Sequence, residues 1–277
     1  MSRPRPISHR WRVSWRHVAR TLTGAALSRT VVVWSGPSQL DGTPILLVAH
    51  AVTAPSENRK TGDMLQLSIM RADMDPISAW IAGADGAVCP SACKHRSRAR
   101  GGDGTCYVNK ARLSSAWRAA RRAVDAGHIG VPVEFFKGAR LRCGMEGDPA
   151  AVPLDVWAPI LSAAQAHTGY TAAWRTLPRA WSRYFMASVA SPTDYLRARS
   201  AGWSPFAASA SAADDQDYAA AGAAVCRAER PAAPMACVDC LGCNGSRSSE
   251  TGRAGFHLPM HGAIGANVRK RNDTAAA

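Results

Sequence analysis

Seven of the chain's eight cysteines fall into two groups whose spacing could turn several thiolates toward one metal centre. Cys226, Cys237, Cys240 and Cys243 form C-x10-C-x2-C-x2-C within CRAERPAAPMACVDCLGCNG. A two-residue gap lets both thiolates of a pair face one metal, and the small residues nearby let the backbone wrap closely. Four thiolates would close the shell of a tetrahedral zinc or of an iron–sulfur cluster. Zinc ribbons normally use two separated knuckles, whereas a C-x2-C-x2-C run is closer to iron–sulfur ligation, so a cluster is expected here with zinc as the alternative.

The earlier group, Cys89, Cys93 and Cys106 in CPSACKHRSRARGGDGTCYVN, has three members. Three thiolates leave a coordination position open, and an open position is what lets a substrate or cofactor reach a catalytic metal. The competing expectation is a structural zinc completed by Cys143 or by His95. Cys143 falls on an expected strand, where a small buried hydrophobe is the commoner role of cysteine. Clustered thiols in a reducing compartment point to metal or redox chemistry rather than to disulfides.

The elements that must carry these groups are legible as a pattern. TVVVWSGPSQLDGTPILLVAHAV reads as two β-branched apolar runs around a Gly/Pro/Asp turn, and MLQLSIMRAD as a further strand. PISAWIAGADGAV is a short helix leading into the first cysteines, and ARLSSAWRAARRAVDAG a helix with a Gly stop. From residue 139 short strands and helices alternate: ARLRCG, VPLDVWAPILSAAQAH, GYTAAW, LPRAWSRY, FMASVAS, PTDYLRARSAG and WSPFAASA. That alternation implies parallel strands joined by right-handed crossovers. The expected fold is α/β, a (βα)-repeat forming a partial barrel or an open parallel sheet, with cysteine-rich metal-binding loops. Active groups in such folds sit at the C-terminal ends of strands, so the loops after ARLRCG and FMASVAS should share one mouth. SASAADDQDYAAAGAA is expected to be a loop or loose insertion, and AGFHLPMHGAIG a last strand. The expected division is a flexible basic arm at 1–30, one α/β domain at 31–265 and a disordered tail at 266–277.

CPSAC and CY, followed by CGMEGDPAAVPLDVW at an expected strand end, resemble the radical S-adenosylmethionine enzymes. The resemblance implies a [4Fe-4S] cluster on Cys89, Cys93 and Cys106 whose open iron takes the amino and carboxylate groups of S-adenosylmethionine. It also implies that the turn at Gly147, Asp148 and Pro149 contacts the cofactor's amino group, and that the four later cysteines hold an auxiliary cluster. The chain departs from the family pattern in two places: twelve residues separate Cys93 from Cys106 where two are usual, and Asp148 stands where Glu is usual. From VVWSGPSQLDGTPI to the last cysteines the chain also resembles a family of uncharacterised bacteriophage and mobile-element proteins.

Of the 277 residues 47% are apolar, enough to build a substantial core, and the formal charge is +14. The first forty residues, with RPRPISHRWRVSWRHVAR, hold many Arg and no acid. Trp11, Trp15 and Trp34 lie in or near that arm, where aromatics could stack on unpaired bases while guanidiniums track phosphates. Nucleic acid is therefore an expected partner through the N-terminal arm. No apolar window approaches the roughly 18 to 20 residues of a membrane span, and the N-terminus lacks a signal-peptide apolar stretch, so a soluble cytoplasmic protein is expected. Lys60, Thr61 and Gly62 lack a full phosphate cradle and read as an exposed turn; Ser188 has no Gly-x-Ser-x-Gly elbow; AVCPSACK lacks the deaminase element. His50, His257 and His261 read as ordinary, partly buried histidines. Two functions compete: an iron–sulfur enzyme of the radical S-adenosylmethionine kind acting on nucleic acid or a nucleotide, and a non-catalytic, zinc-stabilised nucleic-acid-binding protein.

Overall fold

Two β-branched runs fold back on each other as β1 (Thr30–Pro37) and β2 (Pro44–His50), an antiparallel hairpin. Ser38 and Thr43 close its turn through a 2.8 Å backbone bond, and Gly42 takes φ 78°, a conformation glycine reaches without a Cβ clash. β3 (Leu65–Arg71) pairs antiparallel with β2. From β3 onward β4 (Arg140–Cys143), β5 (Ala166–Thr171), β6 (Met186–Val189), β7 (Pro205–Ser209) and β9 (Phe256–Pro259) run parallel, with β8 (Ala224–Val225) at the far edge. The order β1-β2-β3-β4-β5-β6-β7-β9-β8 makes an open α/β fold on a nine-stranded, mostly parallel sheet. The computed structural model describes residues 29–50, 52–53, 58–106, 108–230, 232–245 and 255–276. The expected basic arm, save residues 29 and 30, lies outside them, as do Trp11 and Trp15.

The β3–β4 connection holds α1 (Pro76–Ile81) and α2 (Ser114–Asp125), and the later crossovers hold α3 (Leu154–Ala163), α4 (Pro192–Ser200) and α5 (Ala212–Ala220). Trp157 of α3, Tyr195 of α4 and Tyr218 of α5 share one core with Leu67, Leu141 and Ala187 of the sheet. Each such side chain, when fully buried, contributes about 1.5–3 kcal/mol. Right-handed crossovers that always step the same way leave their helices on one face. The opposite face is covered at one end by α2, whose Ala120 and Trp117 pack on Val32, Leu46 and Met70. Further along that face, period-two alternation lines up Gln66, Ser68, Arg142 and Thr168, of which Gln66, Ser68 and Thr168 are buried. Among the described residues no helix is long and apolar enough to cross a membrane.

Three local expectations give way. The Ala-rich segment expected to be a loop is α5: Ser211 Oγ accepts from Asp214 N–H at 3.0 Å, capping the first turn, and Tyr218 anchors the helix in the core. Residues 266–276, expected to be a disordered tail, belong to α6 (Gly262–Ala276), which Arg269 ties to Asp215 at 2.8 Å. The helix expected to reach His167 stops at Ala163, because Ala164 is extended (ψ 148°) and His167 joins β5.

Candidate metal centre

The first cysteine group follows β3, at the C-terminal end of the parallel strands. Cys89 is set by its N–H to Asp85 O at 2.8 Å, and Arg100 clamps the insertion back onto it, donating to Cys89 O at 2.9 Å. The twelve-residue insertion is folded on itself: Arg96 donates to Cys93 O at 2.8 Å and to Arg100 O at 2.9 Å, and Asp103 N–H to Lys94 O at 2.8 Å. Gly102 permits this, since a Cβ there would collide with the Arg96 backbone. The three thiols lie within electrostatic reach of one another: after burial, Cys93 and Cys106 each raise the Cys89 thiol, and Cys106 raises that of Cys93.

Burial is the largest influence on all three, pushing Cys93 up to about 11 and Cys89 and Cys106 above the ordinary thiol value. Bare thiols at this site are therefore protonated near neutral pH and poor nucleophiles; a bound cation is what would draw them into the thiolate form. The sulfurs are equipped for that state. Backbone N–H groups of His95 and Arg96 donate to Cys93, and that of Val108 to Cys106. Such bonds are the means by which a protein stabilises and tunes metal thiolates. Among the described residues no three His, Cys, Asp or Glu groups are gathered tightly enough for a single-ion site.

Two charged residues of this site were missed from the sequence. Lys110, 7% exposed, donates to Cys106 Sγ at 3.3 Å and to Glu146 Oε2 at 3.3 Å, and its ammonium lies 4.2 Å from the Trp80 ring centroid. Glu146, 3% exposed, is the charge that most opposes ionisation of Cys89. A glutamate between glycines at a strand end was the available signal, but the neighbouring Asp148 drew the family comparison. Gly147 has φ 76° and no space for a Cβ against Ile69. Asp148 accepts from Ala150 N–H at 2.9 Å and Ala172 N–H at 2.7 Å, while its own N–H donates to Val88 O at 2.7 Å. Burial raises its carboxyl to about 6 against those bonds. Its N–H and its carboxylate together thus tie the loops after β3, β4 and β5, and Pro149 O accepts from Trp157 Nε1 at 3.0 Å. Lys94 extends the same mouth to the loop after β6, donating to Ala190 O at 3.3 Å.

Of the two expected fourth ligands, Cys143 is held away from these thiols. Cys143 lies in the core on β4, and burial alone acts on its thiol. His95 bonds Thr105 Oγ1 at 2.7 Å and is lowered to about 4 by burial and then by Lys94, with Asp103 opposing.

The second group converges from three segments onto the polar face of the sheet. A single helical turn, Cys237–Cys240, ends at Leu241 with φ 50°, the one non-glycine with positive φ among the described residues, and the reversal returns Cys243 to its partners. Cys226, Cys237 and Cys240 all raise the Cys243 thiol, after burial, and Tyr170 donates its hydroxyl to that sulfur. Burial pushes Cys237 up to about 11. The lobe docks on the turn expected to be exposed: Cys237 N–H donates to Lys60 O at 2.8 Å and Val238 N–H to Thr61 O at 3.0 Å. Gly62, at φ 68°, has no room for a Cβ against Val238. Arg140 of β4 donates to Val238 O at 2.6 Å, and Gly169 N–H of β5 to Cys243 O at 3.1 Å.

Compared with known protein families, curated proteins and solved structures, the chain matches none of them. Elsewhere, His257 Nδ1 stands 3.4 Å from Ser209 Oγ and 3.5 Å from Asp215 Oδ1. Both partners meet the same ring nitrogen, which is not the arrangement of a hydrolytic triad. Ser188 pairs with Phe206 on the neighbouring strand, and burial lowers His50 to about 4.

Proposed function

We propose that both thiol groups are metal centres and that the protein is an iron–sulfur enzyme of the radical S-adenosylmethionine kind, acting on nucleic acid or a nucleotide. One observation carries this reading: three buried thiols, served by N–H donors, within electrostatic reach of one another where parallel strands end, with Cys143 held apart in the core. Loaded with a cluster and S-adenosylmethionine, such a centre supplies reductive cleavage of the cofactor. The chain's own part is to exclude water from the sulfurs, donate N–H groups to them, and hold Glu146 and Lys110 beside them. The later four thiols fit a closed auxiliary or structural centre.

A second reading is a zinc-stabilised nucleic-acid-binding protein, favoured by the number and spacing of the four later cysteines, since four thiolates can serve tetrahedral zinc as well as a cluster. Iron, sulfide and zinc assays on protein purified without oxygen, with a visible spectrum, separate the two. Iron and sulfide in step with broad visible absorbance support the enzyme; zinc at about two per chain without iron supports the second reading. In the first case Cys93→Ala abolishes cofactor cleavage and spares the second centre, and undiminished cleavage refutes the assignment.

A further inference from the structure

A cleft of about 530 Å³ opens on the helix side of the sheet, between the β5–β6 connection and α4, and both of its walls carry arginine. Arg175 lies 4.5 Å from the Trp174 ring centroid and pairs with Asp194 at 2.5 Å. Arg197, 70% exposed, stands 3.9 Å from the same carboxylate, so a single acid faces two guanidiniums. Arg179 runs across Gly202, whose φ is 75° and whose missing Cβ is the space the guanidinium fills. Its Nε donates to Ser182 Oγ at 3.2 Å, which fixes the group, and its Nη atoms make no bond to another described residue.

The two tryptophans of the cleft, Trp174 and Trp203, are each 5% exposed and packed into the core, so they serve as walls and offer no face for a base. What the cleft presents is guanidinium, whose planar fork matches phosphate oxygens in pairs. Its volume is in the range that seats a small ligand. We propose that this cleft seats the phosphodiester backbone of single-stranded nucleic acid, held without regard to base sequence. The inference rests on nucleic acid being the protein's substrate or partner, and is independent of which metal the thiols hold.

The test is binding of the full chain to a fluorescent single-stranded oligonucleotide of mixed sequence, by anisotropy across a salt series. Arg179→Gln with Arg197→Gln removes two phosphate contacts and should make the slope of log affinity against log salt shallower by about 1.4, at roughly 0.7 per contact on a single strand. Arg118→Gln with Arg122→Gln, exposed on α2, removes the same charge elsewhere and should leave most of the slope in place. Thermal melts confirm that these surface variants are folded. An unchanged slope, an equal change in the α2 control, or binding only to duplex or to inorganic polyphosphate would overturn the assignment. Zinc in place of iron would defeat the enzyme reading and leave this result standing.

Discussion

Replacing Lys110 by Met keeps its length and removes its charge, leaving the Glu146 carboxylate buried beside three thiols. Removing one partner of a buried ion pair costs about 3–5 kcal/mol, because the remaining charge is uncompensated. Glu146 has an escape, which is to take up a proton. Burial already raises its pKa, and Lys110 is the largest influence holding it down. A carboxyl whose folded pKa is raised favours the fold fully below its unfolded value, and that contribution is lost as pH rises through the folded value. The Lys110→Met deficit should therefore be small near pH 4 and grow toward pH 8, reaching about 3 kcal/mol near neutrality. Urea unfolding of the metal-free chain across that range measures it. Adding Glu146→Met should restore most of the stability, since an apolar pair of similar volume replaces the ions. It should not restore the N–H donor to Cys106, so the reduction potential or metal affinity of the first centre stays shifted in the double variant. A single variant equal to wild type in stability, or a double variant with both properties restored, would refute the assignment of Lys110 to the thiol site.

Asp148 is raised from 3.8 to about 6 by burial, so by the same sign rule its contribution is present below 3.8 and lost as pH rises through about 6, a change of roughly 3 kcal/mol. Asp148→Asn should flatten that part of the pH–stability profile while loosening the link to Ala172, read as faster amide exchange there. Gly62→Ala, forced into left-handed backbone at about 1–2 kcal/mol and into collision with Val238, should lower metal content at the second group. Adding Val238→Ala should recover part of it. Cys143→Ala should reduce stability by about 1–2 kcal/mol through lost packing and leave the metal content of both groups intact; a loss of metal would make Cys143 a ligand. Chelation should expose the 226–243 lobe to protease ahead of the strands beneath it.

Hydrophobic period and turn residues were enough to place the hairpin, β3 to β7 and α1 to α4, because those segments carry their own burial pattern. α5 was missed because its sequence is nearly all Ala and Asp; only the Ser211-x-x-Asp214 cap and Tyr218 distinguish it from a loop. The expected (βα)-repeat leaves out what the topology adds: the helices of the crossovers after β4 lie on one face, so the part of the opposite face that α2 does not cover receives the cysteine lobe. The seven cysteines were legible as two candidate groups, because type and spacing define them. Lys110 and Glu146 were not, since each is an ordinary charged residue until the fold buries it, and their pairing spans 36 positions. The turn at Lys60 to Gly62 was read as solvent-facing for the same reason: its partner, the cysteine lobe, comes from the far end of the chain.

That distance gives the second group a role beyond its own coordination. Lys60 pairs with Glu229 across 169 positions, and the lobe also bonds to β4 and β5 through Arg140 and Gly169. Closing a loop of that length costs about 4–5 kcal/mol in chain entropy. The docking contacts alone are a few hydrogen bonds, each worth about 1 kcal/mol net, and Lys60 and Glu229 form a partly exposed ion pair worth less. They balance the closure without deciding it. On the proposed function, metal held by the four thiolates, at about 10 kcal/mol or more in small zinc domains, would decide it. The lobe lies by the N-terminal ends of β3 and β4, and the three-thiol group lies at the C-terminal ends of the same strands. On that reading, loading the second group would fix the strands whose far ends carry Cys89, Glu146 and Asp148, and Gly62→Ala, which disturbs the lobe's docking, should also weaken metal binding by the first group's thiols if the two are coupled through those strands.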